Sequence, residues 1–184
     1  MDNPKPGTPE FEYPRGDRMR ELLAPFRPPE AKTVLDMGCG DGLKASRYHL
    51  GLKIVGLEAD PGKAKEAFYN LGSCVCHGMS CLQYIYEKEN VFDWITFIDS
   101  IEHVTLHDAQ EILRHASRVA KYAVTIFAPD GDTSEWRHKD AELDVHSSIW
   151  NEAQFTALGF TVTRLSGHHG PGRDALIAHW RKPQ

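Results

Sequence analysis

What this chain lacks narrows its role before any motif is read. No stretch approaches the roughly 18–20 consecutive apolar residues that a membrane-crossing helix needs, so no span is expected. The polar, proline-bearing start from Met1 to Gly16 has no apolar core and does not read as a secretory leader. Only four cysteines occur, Cys39, Cys74, Cys76 and Cys81, and their spacing outlines no disulfide framework. A reducing, cytoplasmic setting is the simplest expectation. Positive charge is not in excess: 21 Lys and Arg against 26 Asp and Glu leave a net charge of −5, which disfavours a broad nucleic-acid-binding face. There is no internal repeat and no low-complexity tract.

What is present suits a single globular domain. The 184 residues are 41% hydrophobic and 26% charged, enough to bury a sizeable core. Residues 1–16 read as a flexible lead-in and residues 17–184 as one domain. A short helix is expected from Asp17 to Phe26, stopped by Pro28-Pro29. Strands are expected at Thr33–Met37, Lys53–Glu58, Ser73–His77, Phe92–Asp99, Tyr122–Ala128, Phe160–Leu165 and Ala175–Trp180. Helical patterns separate the first five: Leu43–Leu50, a helix capped by Asp60 with Ala64, Ala67, Phe68 and Leu71 on one face, one opening at Ser80, and one capped by Thr105. The last carries the stripe Leu106, Ala109, Ile112, Leu113, Ala116 and Val119. A further helix is expected at Asn151–Leu158. The near-continuous apolar run at Phe92–Asp99 suits a strand buried on both faces. Such alternation predicts an α/β fold, a doubly wound and mainly parallel seven-stranded sheet. The loop between the last two strands is too short for a crossover helix, so they should form an antiparallel C-terminal hairpin. The loop at 130–149 has no clear periodicity and is long enough to suggest a functional role as a substrate lid.

The densest signal is Val34-Leu35-Asp36-Met37-Gly38-Cys39-Gly40-Asp41-Gly42. A strand feeding a Gly-rich turn and then a helix makes a ligand cradle at the carboxyl end of that strand. The spacing is G-x-G-x-G, with Leu43 where a dinucleotide fingerprint would have its third glycine. The Gly-Lys-Ser/Thr ending of a phosphate loop is missing. Asp36 and Asp41 are poor company for a pyrophosphate and suit a ligand with an amino group and a positive centre. Glu58, ending the second strand, is placed to accept bonds from ribose hydroxyls.

That nonapeptide, Glu58, and the stretch from Phe92 through Asp99-Ser100-Ile101-Glu102-His103 together resemble the class I S-adenosylmethionine-dependent methyltransferases, whose fold is Rossmann-like. By that resemblance Gly38, Cys39, Gly40 and Gly42 would hold the methionine part of the cofactor. Asp36 would bind its amino end, directly or through water. Glu58, with Ala59 beside it, would take the ribose. Gly78-Met79-Ser80 would pass the adenine; the family often has an acidic residue after that glycine, and Met79 can stack on the ring but leaves the exocyclic amine another acceptor to find. Asp99 and Ser100 would face the transferred methyl. Cys39, Cys74 and Cys76 read as packing residues, since Cys-x-Cys-His-x3-Cys lacks paired zinc spacing.

The set Asp99-x-x-Glu102-His103 with the later His146 also resembles the metal-binding group of small-RNA 2′-O-methyltransferases. It implies that Glu102, His103 and His146 could hold a divalent metal such as Mg²⁺ or Mn²⁺. The other reading is that the Glu-His pair shapes the pocket without an ion, leaving His103, His146 or Asp99 as the general base. Asp99-Ser100-Ile101-Glu102 stands where amino-group DNA methyltransferases carry Asn/Asp-Pro-Pro-Tyr/Phe, which disfavours that class. A similarity to compact bacterial methyltransferases of cell-surface sugar pathways includes the His146-Ser147-Ser148-Ile149-Trp150 run. The expectation is therefore O-methylation of a small-molecule acceptor, a metabolite or sugar. The alternatives are a metal-assisted RNA 2′-O-methyltransferase, a non-catalytic S-adenosylmethionine-binding module, and a nicotinamide-dependent oxidoreductase.

Overall fold

A computed structural model of the chain describes residues 16–76, 91–133 and 145–183. In chain order the elements are α1 (Gly16–Leu23), β1 (Thr33–Met37), α2 (Leu43–Tyr48), β2 (Lys53–Glu58), α3 (Pro61–Leu71), β3 (Cys74–Cys76), β4 (Phe92–Ile98), α4 (Leu106–Val119), β5 (Ala120–Pro129), α5 (Glu152–Ala157), β6 (Thr161–Leu165) and β7 (Ala175–Arg181). They build a seven-stranded sheet in the order β3-β2-β1-β4-β5-β7-β6. The first five strands run parallel, and β7 lies antiparallel between β5 and β6. Both the parallel sheet and the closing hairpin match the sequence expectation. Among the described residues no helix is long and apolar enough to cross a membrane.

The strand order reverses direction between β1 and β4, so the crevice outside their carboxyl ends is where such a sheet binds its ligand. Two hydrophobic layers fix this arrangement. On one face α4 and α5 bury Leu35, Ile95, Phe97, Ile112, Leu113, Val124, Trp150 and Phe155. On the other, α1 covers Val34, Ile54, Trp94, Phe127 and Ile177 with Met19 and Leu23. Helix starts follow short polar caps. Asp60 accepts from the Lys63 amide at 2.9 Å, Thr105 from Asp108 at 3.3 Å and Asn151 from Gln154 at 3.0 Å. A polar row crosses the α1 side of the sheet, because the register aligns Asp36 with Thr96, Thr96 with Thr125, and Thr125 with His179. Its hydroxyls find partners along the row and beside it: Thr96 Oγ1 donates to Asp36 Oδ1 at 2.7 Å, Thr125 Oγ1 pairs with His179 Nδ1 at 3.0 Å, and Trp94 Nε1 donates to Thr125 Oγ1 at 2.8 Å.

Several expectations shift. β4 ends at Ile98, not Asp99, because Asp99 adopts φ +48°, a left-handed conformation that cannot continue a strand. β5 starts at Ala120, since α4 runs directly into it and Phe92 pairs with Ala120. Phe68, expected on the packed face of α3, is 54% exposed. Ala64 and Ala67 are the buried side chains of that helix, and Ala67 packs with Ala45 and Cys39, so α3 lies too close to its neighbours for a phenyl ring. Leu106, the first residue of the α4 stripe, is also only partly covered. The expected helix at Ser80 lies outside the described residues.

Phe155 is fully buried, with its ring stacked on Trp150 at 4.5 Å and edge-on to Phe160 at 6.3 Å. Replacing Phe155 with Ala should cost about 3–5 kcal/mol of stability, read as a fall in the urea midpoint with the slope unchanged.

Candidate active site

The Gly-rich turn is drawn across the end of β2. The amides of Gly38 and Cys39 both donate to the Leu57 carbonyl, at 2.7 and 3.1 Å. Gly38 has φ +78°, and a Cβ there would lie 2.5 Å from Ser100 Cβ. Ser100 in turn donates from Oγ to the Met37 carbonyl at 2.7 Å. The loops after β1 and β4 thus close on each other only over a residue without a side chain. Gly42 packs tightly on Ala67 and Leu71, whereas the position of a Cβ on Gly40 is open for 4 Å around. Cys39 is 93% covered, wedged under Gly56, and fills space as expected of a packing residue.

Glu58 braces this turn. Its Oε2 accepts from the Gly40 amide at 2.8 Å and its Oε1 from Asp60 at 2.9 Å. Each oxygen keeps a further lone pair for a sugar hydroxyl. Ala59 follows at the mouth, partly exposed. Asp36 is buried two residues before Gly38. Its Oδ1 accepts from Thr96 Oγ1 at 2.7 Å and lies 3.4 Å from His49 Nε2.

Asp99 stands past the end of β4, held by its amide on the Phe127 carbonyl at 2.9 Å. Asp99 is solvent-exposed there, with protein packed closely around its carboxyl. That enclosure pushes its carboxyl up to about 6, and nearby Lys44 pulls the other way. The strained φ marks the residue, because such conformations gather at functional sites. Tyr48, closing α2, reaches toward Asp99 and Asp36. Burial and then those two negative charges hold its phenol far above the ordinary range, so it stays a neutral donor.

A single 3₁₀ turn, Ile101–His103, follows. The Glu102 carbonyl accepts from both Ser147 and Ser148 amides, at 2.7 and 3.0 Å, which fastens the segment carrying His146 against this turn. Glu102 is 2% exposed, and its Oε2 has no hydrogen-bond partner among the described residues. Burial, then the charge of Asp99, pushes its carboxyl well above the ordinary value. His103 Nδ1 lies 3.3 Å from the Val145 carbonyl, and His146 Nδ1 bonds to Thr133 Oγ1. One ligand-capable atom from each of Glu102, His103 and His146 lies within 4.8 Å of the others. Imidazoles oriented through Nδ1 by a carbonyl or hydroxyl, beside an unpartnered buried carboxyl, are a donor set that fits a divalent ion.

The structure therefore brings together Asp36, Gly38, Gly40, Glu58, Asp99 and Ser100 around the turn and Glu102, His103 and His146 beyond them. Met79 and Ser80 lie outside the described residues, as does the 134–144 part of the expected lid. Of the 130–149 loop, the described ends are tied down by a bridge between Gly131 and Trp150 and by the Ser147 and Ser148 bonds to Glu102. The sequence reading passed over Tyr48, His49 and Lys44 on α2, and His169 in the β6–β7 loop. His169 is held down to about 4 by burial, then by His168, Arg173 and His146, so it is neutral beside the imidazole pair. No spacing rule marks these residues, since only the tertiary fold carries α2 and the hairpin loop to the cleft.

Comparison with known proteins gives the family. The family model described as a methyltransferase domain matches residues 11–165. No curated protein sequence matches the chain. Among solved structures, a SAM-dependent methyltransferase from Archaeoglobus fulgidus is 17% identical with a TM-score of 0.67, covering 91% of this chain and 92% of that one. The N-terminal domain of EvdMO1, solved with S-adenosylhomocysteine bound and also in the presence of S-adenosylhomocysteine and D-fucose, is 16% identical with a TM-score of 0.65, covering 91% of this chain and, in the S-adenosylhomocysteine-bound structure, 81% of that one. A Haemonchus contortus phosphoethanolamine N-methyltransferase complexed with phosphomonomethylethanolamine and S-adenosylhomocysteine is 16% identical with a TM-score of 0.67, covering 91% of this chain and 52% of that one. At such identities the likeness establishes the shared fold. With the family match spanning most of its length, the chain belongs to the methyltransferase-domain family, the class I S-adenosylmethionine-dependent methyltransferases.

Proposed function

We propose that this chain moves the methyl group of S-adenosylmethionine to a hydroxyl of a small molecule, a metabolite or sugar. The observation that carries the reading is the turn at Gly38, closed on Ser100 and braced by Glu58 at the point where the sheet reverses order. Its chemistry fits the cofactor. Glu58 offers acceptors to ribose hydroxyls, Asp36 a negative charge to an ammonium, and the open face of Gly40 room for a close approach. The bound cofactor supplies an electrophilic methyl on a positive sulfur, so the protein has chiefly to align the partners and exclude water.

The chain's own groups do the rest. The acceptor oxygen attacks the methyl carbon, the carbon–sulfur bond breaks, and the hydroxyl proton passes to a base. Asp99, His103 and His146 are the candidates. An imidazole of His103 or His146 is suited to that task near neutral pH, and His103 is oriented by the Val145 carbonyl. The EvdMO1 domain, crystallised in the presence of D-fucose, supports a sugar-sized acceptor, and the helminth enzyme supports a small one.

A second reading, metal-assisted transfer to an RNA 2′-hydroxyl, is favoured by the Glu102, His103 and His146 cluster. An ion held there would lower a hydroxyl's pKa and orient it. A titration with Mn²⁺ should then give saturable binding that His103→Ala weakens by at least about tenfold. Wild type that takes up no ion removes this reading and leaves an imidazole as base.

The cofactor reading is tested by calorimetry. Wild type should bind S-adenosylhomocysteine, and Glu58→Ala should weaken it by about tenfold or more, since bonds to a charged group are worth about 1.5–3 kcal/mol. Equal affinity in the variant, or a preference for nicotinamide dinucleotide, overturns it. A protein that binds the cofactor yet consumes none with any acceptor is a binding module.

Glu102 gives a pH test. Its folded pKa is raised above the unfolded value of 4.5, so the folded state holds the proton more tightly. That contribution is complete below the unfolded pKa and is lost as pH climbs toward the folded one. In chelator, urea unfolding should show wild type losing stability from pH 5 to pH 8 more steeply than Glu102→Gln.

A further inference from the structure

His49 is a fully buried imidazole that no part of the proposed chemistry uses. It caps the end of α2, and its Nε2 lies 3.1 Å from Thr96 Oγ1 and 3.4 Å from Asp36 Oδ1. The hydrogen-bond directions follow from the inventory of atoms. Thr96 donates its one hydroxyl hydrogen to Asp36 Oδ1, at 2.7 Å. Thr96 oxygen can then only accept from His49, which places the imidazole proton on Nε2. Nδ1 is left bare, and it has no hydrogen-bond partner among the described residues.

A bare buried ring nitrogen costs stability, and its surroundings are apolar: His49 stands edge-on to the Trp94 ring at 5.3 Å and to Tyr48 at 6.3 Å. An aliphatic side chain would fill that space without the cost. What the imidazole contributes is therefore on its Nε2 side. Donation from His49 makes the Thr96 hydroxyl a stronger donor to Asp36, since hydrogen bonds in a chain polarise one another. Both groups sit on Oδ1, so Oδ2 is the oxygen not held by the relay. Asp36 lies on β1 two residues before the turn that closes over Ser100.

We propose that His49 is the positioning residue of the cofactor site: through Thr96 it fixes one oxygen of Asp36 in place and leaves the other presented to the ammonium of S-adenosylmethionine. The inference rests on the cofactor reading above and adds to it a residue that touches no ligand.

The test separates positioning from folding by using two ligands. S-adenosylhomocysteine has the amino-acid end, and 5′-methylthioadenosine is the same nucleoside without it. His49→Leu should weaken S-adenosylhomocysteine by about tenfold while changing 5′-methylthioadenosine by less than about twofold, as loss of support to a single charged contact would. His49→Gln, which keeps an amide N–H near the place of Nε2, should recover most of the lost affinity. Thr96→Val, which cuts the relay without touching the imidazole, should show the same selective loss and serves if His49→Leu does not fold. Equal weakening of both ligands, or of neither, overturns the proposal. Wild type that binds neither ligand overturns the cofactor reading instead.

Discussion

The contact on which the rest depends is the approach of Gly38 to Ser100. A methyl group at position 38 would sit 2.5 Å from Ser100 Cβ, well inside the distance at which carbons repel. Removing that side chain lets the Ser100 hydroxyl reach the Met37 carbonyl, and so binds the loop after β4 to the end of β1. The crevice at the reversal point of the sheet has its walls set by this one bond. On the far side Glu58 does the equivalent, tying the Gly40 amide to the end of β2. The turn is therefore gripped from both neighbouring strands, with its outer face at Gly40 left clear.

The two halves of the site are electrostatically unlike. Around the turn, the carboxyls of Asp36 and Glu58 accept hydrogen bonds, from the Thr96 hydroxyl and from the Gly40 and Asp60 amides. Beyond the turn the surroundings differ. Burial drives Glu102 toward its protonated form and His169 toward its neutral one, and close packing around the exposed Asp99 raises its carboxyl as well. The cation-bearing ligand proposed here would thus meet carboxyls at one end and a largely buried Glu102 at the other.

Much of the fold was legible because it rests on local rules. Periodicity located β2 and the α4 stripe, and the caps Asp60, Thr105 and Asn151 stood at the helix starts. The length of the β6–β7 loop alone required an antiparallel pair. What escaped was decided by tertiary contact. Asp99 read as the last residue of a strand because its side-chain pattern continues β4; only its backbone, turned to a positive φ by the loop it starts, ends the strand. Phe68 shares a helical face with Ala67, but the closeness of α3 to Cys39 and Ala45 admits the methyl and not the ring. His49 closes a short helix whose pattern says nothing of the carboxylate thirteen residues earlier. The fold, not the spacing, sets it against Asp36.

Glu102 serves two segments through two different parts of itself. Its carbonyl receives the Ser147 and Ser148 amides, while its carboxyl lies with the two imidazoles. A main-chain tether is indifferent to which amino acid supplies it. The side chain at this position can therefore be exchanged without unfastening the strand of polypeptide that delivers His146. The chemistry at this end of the site can thus change while the main-chain bond that holds the segment in place stays the same.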